Sequence, residues 1–156
     1  MNNDEAFLAR AVHLAAESIT RGGGPFGAVV VRDGRIVGEG SNSVIRDKDP
    51  TAHAEMIAIR AACAALGNFH LTGCTLYASS EPCPMCLSAA YWARVDRIVF
   101  ANPRDEAAAI GFCDDQLYCE LCLPHDERSV PTEHLPLPGA DEPLKAWRQS
   151  PDRVPY

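Results

Sequence analysis

From Cys74 to Ala101 the chain reads strand, helix, strand, and that order constrains its fold more than any other feature. Cys74-Thr75-Leu76-Tyr77-Ala78-Ser79 alternates as a strand does, Pro84 suits a first helical position, Met85 to Ala93 continues as helix, and Arg97 to Ala101 is a second short strand. Such a unit normally closes as a right-handed parallel crossover within one sheet. Three elements precede it. Leu8, Ala11, Val12, Ala15 and Ile19 recur at helical spacing until Gly22-Gly23-Gly24-Pro25 ends the pattern. Two β-rich runs, Phe26 to Val31 and Arg35 to Glu39, flank an Asp33-Gly34 turn and predict a hairpin. Met56, Ile59, Cys63 and Leu66 mark one face of a helix from His53 to Leu66, with Gly67 at its C-cap. Helix, hairpin, helix, strand, helix, strand predicts an α/β fold: a three-layer α/β/α domain with a mixed central sheet. Beyond Asn102 the signals weaken; Asp105 to Ile110 reads as a helix, and Leu123 to Pro143 is rich in proline and charge.

With 156 residues and 47% apolar composition, the chain is expected to form a single domain, 1–156, with a substantial core. No apolar run approaches the roughly 20 residues of a membrane span, and the first residues are acidic where a secretory signal would be basic, so a cytoplasmic protein with no membrane partner is expected. A net charge of −7 disfavours a nucleic-acid partner, because binding phosphates requires a basic surface. Seven cysteines, an odd number, point to buried thiols, metal ligation or catalysis ahead of disulfides.

The chemistry-bearing segments are His53-Ala54-Glu55 and Pro82-Cys83-Pro84-Met85-Cys86, each at the start of a predicted helix. Helix N-termini favour negative charge, so Cys83 and Cys86 stand where thiolates form readily, and their spacing lets both sulfurs reach one ion. His53 adds a third donor of the kind zinc prefers, and three protein ligands leave a fourth tetrahedral position open to water. Zinc lowers the pKa of such a water to roughly 7. Residues two apart on a helix do not face each other, which leaves Glu55 free to move protons instead of binding metal.

Other readings of the same residues stand beside this one. Cys83 and Cys86 alone also fit a redox pair or half of a structural zinc site. Cys119-Glu120-Leu121-Cys122 could complete a four-cysteine site, although the separation exceeds the roughly 15–20 residues of common zinc knuckles. Cys63 and Cys74 are read as small buried hydrophobes, and Cys113, Cys119 and Cys122 are read in the first place as packing residues. His13, His70, His125 and His134 have no companion pattern and receive no role.

Gly24-Pro25-Phe26-Gly27-Ala28-Val29, Pro50-Thr51-Ala52-His53-Ala54-Glu55 and Glu81-Pro82-Cys83-Pro84-Met85-Cys86, in that order, resemble the cytidine-deaminase superfamily. His-x-Glu followed by Pro-Cys-x-x-Cys is the signature of zinc deaminases, in which the glutamate is general acid and base and not a ligand. Tyr91-Trp92-Ala93-Arg94, Gly111-Phe112-Cys113-Asp114-Asp115, Ala146-Trp147-Arg148 and Tyr156 extend the likeness to bacterial guanine deaminases over nearly the whole chain, whereas tRNA adenosine deaminases share the core alone.

The resemblance implies a cytidine-deaminase-like domain that binds Zn2+ through His53, Cys83 and Cys86 and hydrolyses a small purine base, guanine, to xanthine and ammonia. It implies Glu55 as proton carrier, Asp114 as a second one, Asn42 and the backbone near Ala54 as holders of the purine, and Phe26 and Trp92 as pocket walls. It also implies a homodimer in which the C-terminal segment, about 123–156, closes through Tyr156 over the partner's active site. Deamination of another amino-heterocycle such as cytosine, a pterin or a triazine, editing of tRNA adenosine, and a non-catalytic zinc module are the rival functions.

Overall fold

The computed structural model describes residues 3–156, which separate into two compact units, one ending at Asp114 and the other running from Asp115 to Tyr156. The first contains α1 (Asn3–Thr20), β1 (Gly27–Arg32), β2 (Arg35–Ser41), α2 (Val44–Asp47), α3 (Ala54–Leu66), β3 (Cys74–Ser80), α4 (Pro84–Trp92), β4 (Arg97–Asn102) and α5 (Arg104–Ala109). The second contains α6 (Asp115–Cys122), a 3-10 turn (His125–Glu127) and α7 (Glu142–Gln149).

One four-stranded sheet, in the order β2-β1-β3-β4, organises the first unit. β1 is antiparallel to both β2 and β3, while β3 and β4 run parallel, so the sheet is mixed and the strand-helix-strand unit is the parallel crossover its sequence predicts. Asp33 and Gly34 turn the hairpin with φ of 51° and 71°; two positive values suit the right-handed twist of the flanking strands, and Asp-Gly is among the few pairs that adopt them cheaply.

Side chains alternate across the sheet and give it two packed faces. Ala28, Val30, Cys74 and Leu76 join Ala54, Ala58, Ile59 and Ala62 of α3 and Ala90 of α4 on one side. Val29, Val31 and Tyr77 meet Leu14, Phe7 and Leu8 of α1 on the other. These are the three layers.

The packing of α3 on β2 is unusually close. A Cβ at Gly38 would overlap the Ala58 carbonyl, and one at Gly40 would overlap the Ala54 carbonyl and lie 2.7 Å from the Ala58 nitrogen. Glycines two apart in a strand share one face, and Ala54, Ala58 and Ala62, four apart in a helix, share one stripe. The helix backbone therefore rests on the strand backbone with almost no side chain between them, and the first turn of α3 is held directly against the sheet.

Candidate active site

His53 is the N-cap of α3, in extended conformation, and Cys83 is the N-cap of α4, also extended and followed by Pro84 in the first turn. Both helices begin at the edge where β2 and β3 deliver the chain, which brings residues 30 positions apart together. His53 Nδ1 lies 3.6 Å from Cys83 Sγ and 3.5 Å from Cys86 Sγ. Among the described residues, His53, Cys83 and Cys86 form the cluster of His, Cys, Asp and Glu whose donor atoms all fall within 4.8 Å of one another.

This donor set fits zinc. With Zn–S near 2.3 Å and Zn–N near 2.0–2.1 Å, a tetrahedral centre requires an N···S edge of roughly 3.6 Å. The two observed edges match it, and an imidazole with two sulfurs is a soft, zinc-favouring combination.

Protons are shared unequally in the cluster. Cys83 is pulled down to about 4, first because the Cys86 S–H donates to it and then, against burial, by its bond with His53. The same bond and burial push Cys86 up. His53 is raised by its bond with Cys83, which outweighs its own burial. A thiolate beside a proton-rich imidazole is a site from which a cation displaces protons as it binds.

Glu55 lies in the first turn of α3 with 7% of its surface exposed, and its carboxyl is raised by burial while interacting with its own backbone N–H and with Cys86. It is thus a buried carboxyl touching the sulfur cluster without joining the donor set. A raised carboxyl exchanges protons near neutrality more readily than an ordinary one. Ala54 is fully buried beside it, and its backbone N–H belongs to the first turn, where no intrahelical acceptor exists.

Asn42 is buried at the end of β2. Its Oδ1 accepts from the backbone N–H groups of Gly24 (3.2 Å) and Val44 (3.4 Å). Two donors on one oxygen fix the orientation of the amide. Its backbone N–H donates to the Phe26 carbonyl at 3.0 Å, tying the two residues together. The next residue, Ser43, donates its N–H to the Ala52 carbonyl at 3.0 Å, which connects Asn42 to the segment that presents His53.

Phe112, part of a motif that carries the family likeness but assigned no role of its own, packs edge-on against Phe26 with ring centroids 4.9 Å apart. The contact draws the segment carrying Asp114, half-buried beyond α5, to the Phe26 loop. A Gly-Phe pair after a weak helix was the available signal. Trp92 ends α4, six residues or roughly 9 Å of helix rise beyond Cys86, and is 67% exposed. Tyr156 is exposed at the end of the second unit. Cys74 is buried and Cys63 half-buried, but Cys113, Cys119 and Cys122 are all exposed, so the expectation that these three pack is not met.

The family described as the cytidine and deoxycytidylate deaminase zinc-binding region matches residues 1–102. The guanine deaminase of Bacillus subtilis is 48% identical over 155 residues, 99% of each chain, and its crystal structure superposes with a TM-score of 0.95 over 97% of this chain and 98% of that one. The structure of the guanine deaminase from Nitrosomonas europaea is 34% identical, with a TM-score of 0.68 over 71% of this chain and 65% of that one. The tRNA-specific adenosine deaminase of Aquifex aeolicus is 43% identical, but over 62% of this chain and 64% of its own. The cluster, the mixed sheet and the full-length likeness lead to one assignment: the chain belongs to the zinc-dependent cytidine and deoxycytidylate deaminase family and, within it, to the guanine deaminases.

Proposed function

We infer that the protein hydrolyses guanine to xanthine and ammonia. One observation carries the reading: a buried carboxyl, Glu55, abuts a His-Cys-Cys donor set of zinc dimensions in a chain alike over its whole length to a guanine deaminase. His53, Cys83 and Cys86 hold the metal. Zinc, when bound, supplies the Lewis acidity that makes a water nucleophilic near neutral pH.

Glu55 takes a proton from the attacking water and passes it to the ring nitrogen beside the amino-bearing carbon. Again a carboxylate, it takes the second proton from the hydroxyl that the attack leaves on that carbon and hands it to the amino group, which departs as ammonia because an amide anion is too poor a leaving group. Asp114 serves as a second proton carrier. The Asn42 Nδ2 and the Ala54 N–H donate to acceptors of the purine, and Phe26 and Trp92 wall its faces. Leaving those polar groups unmatched would cost roughly 1–3 kcal/mol each, which makes them selectors of the base.

The protein acts in this reading as a cytoplasmic homodimer whose C-terminal unit, ending at Tyr156, closes over the partner's site. Seven free cysteines suit a reducing compartment, and among the described residues no helix is long and apolar enough to cross a membrane.

Ammonia release from guanine, with adenine, cytosine and guanosine as controls, tests the activity. Guanine should be the preferred substrate; release from cytosine but not guanine would refute the assignment. Mixing Glu55→Gln protein with protein lacking Tyr156 tests the exchange. Recovery of activity in the mixture is expected, and two independently active or inactive subunits would exclude it.

A further inference from the structure

Of the seven cysteines, two belong to the metal cluster and Cys63 and Cys74 pack against the core. Cys119 and Cys122 do neither. Both lie exposed on α6, an eight-residue helix with no buried residue of its own. Their spacing of three places them on one face, one turn apart.

We propose that Cys119 and Cys122 form a thiol pair that two-electron oxidants of the peroxide class convert to a disulfide. In an α-helix, residues three apart have Cα atoms about 5 Å apart. That already lies inside the range of roughly 4.4–6.8 Å that a disulfide spans. Their Cβ atoms, at about 5–6 Å, must approach to roughly 4 Å. The shift falls on Cys122, the last residue of α6, which no further helical turn restrains. The local hydrogen bond it strains is the one from the Leu123 N–H to the Glu120 carbonyl, 3.2 Å long. Beyond it, the Arg128 Nε donates to the Leu123 carbonyl (3.2 Å) and the Ser129 N–H donates to the Glu120 carboxylate (2.9 Å). These two bonds keep the following turn folded back while the bridge closes.

In the first step one sulfur attacks a peroxide oxygen; the O–O bond breaks, a sulfenic acid forms, and the departing hydroxide leaves as water. In the second, the other thiolate attacks the sulfenyl sulfur, the S–S bond forms, the S–O bond breaks and a second water leaves. Two thiols lose two electrons and two protons in total, and one peroxide becomes two waters. The reaction depends on neither the zinc cluster nor the proposed substrate.

The test treats the zinc-loaded full-length protein with one equivalent of hydrogen peroxide, blocks the remaining thiols, and digests with a protease that cuts after glutamate. Because Glu120 lies between the two cysteines, its cleavage leaves two fragments joined only by the bridge. The expected product is that joined pair, lighter by two hydrogens and separated by a reductant, present in the wild type and in Cys113→Ser but absent in Cys119→Ser and Cys122→Ser. Two unlinked fragments in the wild type, or a bridge that needs Cys113, would overturn the proposal.

Discussion

Phe26 and Phe112 meet edge to face at 88°, and through that contact the loop that receives the Asn42 backbone and the segment that carries Asp114 are joined. An aromatic pair of this geometry contributes about 0.5–1.5 kcal/mol beyond its buried area. Phe112→Ala should lose that amount in urea unfolding and lower guanine turnover by more than the stability loss implies, because Asp114 is released as well. Steady-state kinetics alongside the unfolding curve check this; an unchanged kcat would separate the contact from the chemistry.

Glu55→Gln keeps the side-chain size and removes the proposed proton carrier. Zinc content by metal analysis should stay near one per chain, while deamination falls by about 10²–10⁴, the usual share of general acid-base catalysis. Loss of metal in step with activity would mean that Glu55 acts through the site's structure instead.

Gly40→Ala places a methyl against the Ala54 carbonyl. Overpacking of this kind costs about 1–3 kcal/mol. The damage should also reach the metal, since α3 must lift at the end where His53 caps it. Competition with a chelator should strip zinc from this variant at lower concentration than from the wild type, and equal retention would argue that α3 yields elsewhere.

The Asp4 carboxyl is held below its ordinary range, chiefly by the Arg97 guanidinium (2.9 and 3.1 Å) and also by the Tyr77 hydroxyl at 2.6 Å. A folded-state value below the unfolded one stabilises the protein above the unfolded value, and the benefit disappears as pH falls through the folded one. Asp4→Asn should therefore flatten the acid side of the stability curve. Unfolding midpoints measured from neutrality downwards decide it; parallel curves for the two proteins would contradict the role of this network.

The first unit was largely legible in the sequence because each of its elements carries a local stop or start that agrees with its burial. Gly67 takes the left-handed C-cap with φ of 61°, Asp33-Gly34 makes the turn, and His53 and Cys83 cap the helices they begin. The short α2 escaped notice because Val44 to Asp47 has too few residues to show a period. In the second unit α6 and α7 have only eight residues each, about two turns, too short for a period to stand out beside a stretch rich in proline and charge. The metal donors were readable from residue type and spacing. Phe112 and the carbonyl anchoring of Asn42 were not, since both arise from contacts between distant segments.

The glycine-alanine seam between β2 and α3 has a consequence for how such a protein can change. With only glycines and alanine methyls at the contact, no substitution there changes the distance from sheet to metal without opening a gap or forcing α3 away. New specificities must therefore arise from the loops around the site, while the reacting centre is inherited whole.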